Sequence, residues 1–71
     1  MTSYIEWTLE GNGGTIGIIT NMFKRILYIS EDFPDGDYRK VTPGDGILNK
    51  YKKQMVVVDK FDENMLVFKL I

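Results

Sequence analysis

Apolar and polar positions alternate most regularly at the two ends of the chain. From Tyr4 to Glu10, Ile5, Trp7 and Leu9 point one way while Tyr4, Glu6, Thr8 and Glu10 point the other. This period of two is that of a strand with one wet face. At the far end, Met55–Asp59 and Met65–Ile71 are two runs rich in β-branched and other apolar residues, separated by Lys60-Phe61-Asp62-Glu63-Asn64. That arrangement predicts a β-hairpin. Val56, Val57 and Val58 are apolar on both faces, which predicts a strand covered from both sides. Leu66, Phe68 and Leu70 share one face, with Lys69 on the other. This tail hairpin is the expected centre of the core.

The middle of the chain continues the pattern in shorter pieces. Gly11-Asn12-Gly13-Gly14 supplies the positive φ values that a hairpin turn needs, and Thr15–Thr20 reads as the return strand with Ile16 and Ile18 on one face. Gly17 in mid-strand predicts a bulge, or a large neighbour such as Trp7 lying across it. Asn21–Lys24 reads as a second turn and Arg25–Ser30 as a third strand, with Ile26 and Tyr28 against Leu27 and Ile29. Glu31–Gly46 is the least regular part: Phe33-Pro34-Asp35-Gly36 predicts a β-turn and Tyr38–Val41 a short edge strand. Thr42-Pro43-Gly44-Asp45 has two readings. Thr42 as N-cap, with Ile47, Leu48 and Tyr51 at helical spacing, predicts a short helical turn within 43–53; the alternative is a tight turn leading into a strand at Ile47-Leu48. The expected fold is a single domain, 1–71, mainly β, with five to six short antiparallel strands in meander order. They would curl into a small barrel or bent sheet, SH3-like or OB-like by architectural analogy.

Composition narrows what such a fold can be. Seventy-one residues lie near the lower limit for folding alone, and 44% hydrophobic content without a single cysteine means that no disulfide assists. Either the core is efficient or a second copy of the chain contributes to it, so self-association is an open expectation. The net charge of −1 gives the whole molecule no pull on nucleic acid or anionic lipid. The first ten residues, MTSYIEWTLE, lack the basic and apolar regions of a signal peptide, and no apolar run approaches the ~18 residues of a membrane span. A cytoplasmic protein with no membrane partner is expected.

Little in the sequence suggests catalysis. Histidine and cysteine are both absent, which removes the usual general acid–base near neutral pH, the thiolate nucleophile and the common zinc ligands. Ser3 and Ser30 lie in no nucleophile-elbow setting, and Gly11-x-Gly13-Gly14-x-x-Gly17 has isoleucine where a dinucleotide fingerprint needs glycine. No catalytic residue and no cofactor is assigned. The acidic stretch Glu31-Asp32-Phe33-Pro34-Asp35-Gly36-Asp37 misses the EF-hand spacing, with Pro34 and Gly36 at positions that would be ligands, so it reads as a solvated loop and no metal is assigned.

Function by contact is the expectation that remains: a non-catalytic binding protein, with Phe23, Phe33, Tyr38 and Phe61 as candidate contact residues because each falls in or beside an irregular segment. A chain this short fits an inhibitor or accessory protein of phage or mobile-element type. The first alternative is a small β-barrel that binds single-stranded nucleic acid through Tyr38, Arg39, Lys40, Lys50, Tyr51, Lys52 and Lys53, where cations interleave with rings. The second is a structural subunit of a homo-oligomer.

Overall fold

A computed structural model describes residues 1–9, 11–62 and 68–70 of the chain. Among these residues seven strands follow in order: β1 (Thr2–Thr8), β2 (Thr15–Asn21), β3 (Ile26–Ser30), β4 (Arg39–Lys40), β5 (Gly46–Leu48), β6 (Gln54–Val57) and β7 (Phe68–Leu70). They form two antiparallel sheets, β1-β2-β3-β4 and β5-β6-β7. The expected β meander is present, with two corrections. The strands divide between two sheets instead of closing a barrel. And 43–53 holds β5 and two turns, not a helical turn.

The local reason for the last correction lies at Thr42–Asp45. The Asp45 carboxylate accepts the Thr42 N–H at 2.8 Å and the Thr42 hydroxyl at 3.1 Å, and Gly44 takes a φ of +92° that no right-handed helix contains. Gly44 N–H donates to the Val57 carbonyl and Val57 N–H to that of Asp45, so this backbone is satisfied by β6 rather than by a helical ladder.

β1 and β2 are joined through a turn in which Gly11, Asn12 and Gly14 all have φ between 62° and 79°, as the Gly-Asn-Gly-Gly run predicts. The register pairs Ile5 with Ile18 and Trp7 with Ile16, so the alternating apolar faces of the two strands coincide. Between β2 and β3 the register breaks: Ile19 pairs with Tyr28 but Thr20 with Ile26, leaving Leu27 as the extra residue of a β-bulge. The sequence pattern alone placed Ile26 on the face of Tyr28. The bulge moves it to the face of Ile29 instead, and Ile26 and Ile29 are both buried while Tyr28 is exposed.

Gly17 carries no bulge, and its large neighbour is Tyr38 rather than Trp7. A Cβ built on Gly17 would lie 1.9 Å from the Tyr38 hydroxyl oxygen. β2 is therefore covered on both faces, by the second sheet on one side and by the 31–38 segment on the other.

The tail pairs as expected, with Met55 opposite Leu70, Val56 opposite Lys69 and Val57 opposite Phe68. Residues 63–67 and 71 of the predicted hairpin lie outside the described residues. Met55 and Val57 are buried, while Val56 and Val58 are half-buried, so full cover on both sides of this strand is not found. The side chains of 63–71, on which half of the expected tail core falls, lie outside the described residues. Among the described ones, the buried cluster takes Ile16, Ile18, Ile26 and Ile29 from the first sheet, Ile47, Met55 and Val57 from the second, and Val41 and Phe61 from the segments between strands, so the first sheet contributes to the core as much as the tail does. At one corner the sheets are fastened by backbone: Ile26 N–H donates to the Asp59 carbonyl and Phe61 N–H to that of Lys24, around a bridge between Arg25 and Lys60. Among the described residues no helix is long and apolar enough to cross a membrane.

Two outcomes follow from this packing. Gly17→Ala lowers stability in urea by ~1–3 kcal/mol through overpacking, and more than half of that loss disappears when Tyr38→Leu is added in a double-mutant cycle. The second concerns acid. The Thr42 backbone N–H, more than the hydroxyl beside it, holds the Asp45 carboxyl below its ordinary value of 3.8. A depressed carboxylate contributes stability that is present above the ordinary value and is lost as pH falls through the folded one. The midpoint temperature of Asp45→Asn therefore declines less than that of the parent below about pH 4.

Candidate functional site

Two hairpin turns are built alike, and an asparagine organises each. The Asn21 side-chain oxygen accepts the N–H groups of Phe23 at 2.9 Å and Arg25 at 3.1 Å. The Asn49 oxygen accepts those of Tyr51 at 3.0 Å and Lys53 at 3.2 Å. In both, the fourth residue is a lysine in the left-handed region, Lys24 at φ 62° and Lys52 at φ 59°, whose N–H returns to the asparagine carbonyl. Each turn thus holds an aromatic residue outward at its third position with basic residues directly behind. The shared signal is legible in hindsight as Asn-x-Phe/Tyr-Lys-Arg/Lys.

The two tips differ in what they lie against. The Tyr51 ring rests on Gly14, where a Cβ would come within 2.3 Å of it, and the Lys50 ammonium sits 5.5 Å from the ring centre. Asn49 is itself buried and donates to the Gly13 carbonyl at 2.7 Å, which ties this turn to the β1–β2 turn. Phe23 has no aromatic partner among the described residues. It stands 67% exposed, beside Met22 at 70%.

Behind the Met22–Phe23 tip lies an open cleft of about 490 Å³, lined by Ile5, Trp7, Thr20, Met22, Lys24 and Phe61, among others. Trp7 and Phe61 meet edge to face, their centroids 5.1 Å apart at 83°. Of the four contact candidates, Phe61 is buried beside Trp7 and its N–H donates to the Lys24 carbonyl, next in the chain to Phe23, while Phe23 itself does not line the cleft. Phe33 and Tyr38 gather on the opposite face of the first sheet, each 6.1 Å from the Tyr4 ring. The Tyr38 hydroxyl is buried there and meets no partner at hydrogen-bonding geometry. Tyr4 donates to Glu6 at 3.1 Å. Desolvation, followed by the tyrosine and carboxylate beside it, pushes the Tyr4 phenol above its ordinary range.

The cationic candidates are divided. Tyr38 is half-buried, and Arg39 is paired with Glu31, its Nε donating at 2.7 Å. Lys40 lies in β4 opposite Tyr28. Lys50, Tyr51, Lys52 and Lys53 form the Asn49 turn, where Lys50 faces Asp35 at 3.6 Å and its N–H donates to Asp32 at 2.6 Å. Three of the acidic loop's four carboxylates, Glu31, Asp32 and Asp35, are thus engaged internally, on Arg39, on the backbone of the neighbouring turn and on Lys50. Among the described residues no cluster of three or more possible ligands could hold a metal ion.

Asn21 and Asn49 were missed as key residues because a turn asparagine is common, and nothing local marks one as buried. Asn49→Ala, which strands three hydrogen-bonding groups, lowers stability by about 2–3 kcal/mol, whereas the more exposed Asn21→Ala costs about 1 kcal/mol, both read by urea unfolding. Compared with known proteins, the chain matches no family, and neither a curated protein nor a solved structure shows significant similarity to it.

Proposed function

We propose that this protein acts in the cytoplasm, without catalysis, by binding another protein through the Met22–Phe23 tip and the cleft behind it. One observation carries the reading: two adjacent large apolar side chains are held 70% and 67% exposed on an asparagine-braced turn, and the first of them, Met22, borders a cleft that also holds Ile5, Trp7 and Phe61. A braced turn loses little further entropy when a partner covers it, and exposed aromatic anchors beside a pocket are the usual source of binding energy. Lys24 and Lys60 flank the tip, while Arg25 between them is paired with Asp59 at 3.3 Å, so the complementary surface is apolar with at most a lightly acidic rim. Inhibition of the partner, in the manner of a phage or mobile-element accessory protein, is one form that such binding takes.

Catalysis gains little from this cleft, whose charged lining is limited to Glu6 and Lys24. Binding of single-stranded nucleic acid also gains little, since two of its candidate cations, Arg39 and Lys50, already face carboxylates.

The test is affinity capture from host lysate, using the parent chain, a Met22→Ser/Phe23→Ser variant and, as control, Leu48→Ser, which is also exposed. A specific protein should be recovered by parent and control and fall at least tenfold with the tip variant, while all three melt alike. Equal recovery by the tip variant, or capture abolished by nuclease, would sink the reading.

A further inference from the structure

β1 is the outer strand of its sheet, and over seven residues it pairs with β2 alone. Among the described residues, no backbone group of Thr2–Thr8 bonds outside that ladder. The opposite edge of the same sheet, β4, is two residues long, and the β5 edge of the second sheet three. Such short edges offer little to pair with. β1 is long, has no proline and no bulge, carries no lysine or arginine, and bears Glu6 as its one charge. It lacks the devices that normally keep an edge strand solitary.

We infer that this edge is occupied by the β1 strand of a second copy of the chain, joining two four-stranded sheets across a two-fold axis. The register follows from the faces. Residues directly opposite in an antiparallel pair lie on the same face, so odd positions must meet odd ones and even must meet even. Of the registers that satisfy this, the one placing Ile5 opposite Ile5 of the second copy pairs the whole strand, Thr2 with Thr8 included. It sets Ser3 beside Trp7 on the cleft face and Tyr4 beside Glu6 on the outer face. Each Glu6 carboxylate, which already accepts the Tyr4 hydroxyl of its own chain, then gains a second phenol across the axis. Sliding by one pleat in one direction would set Glu6 directly against Glu6, and sliding in the other leaves only five pairs. The edge is thus self-complementary in shape and in charge at a single register.

This pairing uses the strand edge rather than the Met22–Phe23 tip, so either reading can fail while the other stands. Sedimentation equilibrium should give about twice 8.2 kDa. A monomer at chain concentrations up to about 1 mM, where association is worth only ~4 kcal/mol, overturns the inference. The register is read on single cysteines, since the chain has none of its own. Under mild oxidation Ile5→Cys should cross-link to itself in high yield and Thr8→Cys should not. If Ile5→Cys fails to fold, spin labels on the exposed Thr8→Cys report instead. Six positions at ~3.4 Å separate the two copies of residue 8, so the labels should lie about 20 Å apart. A dimer with a clearly different separation overturns the register.

Discussion

β2 has to be covered on both faces, and the rest of the molecule is arranged to do it. Ile16 and Ile18 on one face have no exposed surface, and Gly17 between them, on the other face, is buried too. The first face needs a second sheet, which supplies Ile47, Met55 and Val57. The second face is covered by Tyr38, which reaches the strand only because residue 17 has no side chain. With no disulfide available to offset chain entropy, the core must be shared between the sheets, and the buried apolar residues among those described come from β2, β3, β5, β6 and the segments at Val41 and Phe61. The bulge at Leu27 serves the same end, turning Ile26 inward so that β3 contributes two isoleucines rather than one.

The candidate contact surface is a by-product of how the turns are made. Asparagine side chains satisfy the N–H groups that a tight turn leaves unpaired, and the third residue of each turn is thereby thrown outward. At the Asn49 turn that residue, Tyr51, finds Gly14 to lie on, and the neighbouring acidic loop neutralises Lys50. At the Asn21 turn Phe23 has no aromatic partner among the described residues and stays 67% exposed. One device therefore produces a structural corner at one end and an exposed apolar tip at the other. The difference rests on what the rest of the chain brings alongside.

Division into two sheets has a consequence for the edges. A closed barrel has no unpaired strand, whereas here, among the described residues, β1 pairs on one side only and lines the cleft. Trp7 and Phe61 line that cleft, their rings meeting edge to face. Openness at this seam is what gives the molecule both of the surfaces on which its proposed contacts rest.

Local chemistry was enough to read most of the strands. Period-two alternation located β1, runs of β-branched and other apolar residues bounded by turn formers located β2, β3 and the β6–β7 pair, and Gly-Asn-Gly-Gly located the first turn, because side-chain direction and φ preference act within a few residues. Absence of histidine and cysteine was equally legible, as was Phe23 as an outward residue. What the sequence could not show was decided at longer range. The bulge depends on which strand lies beside β3; Asn49 is buried because the β1–β2 turn packs onto it; Gly17 answers to a tyrosine 21 positions along the chain. Alternation gives a strand its two faces, but what covers each face depends on how distant segments meet.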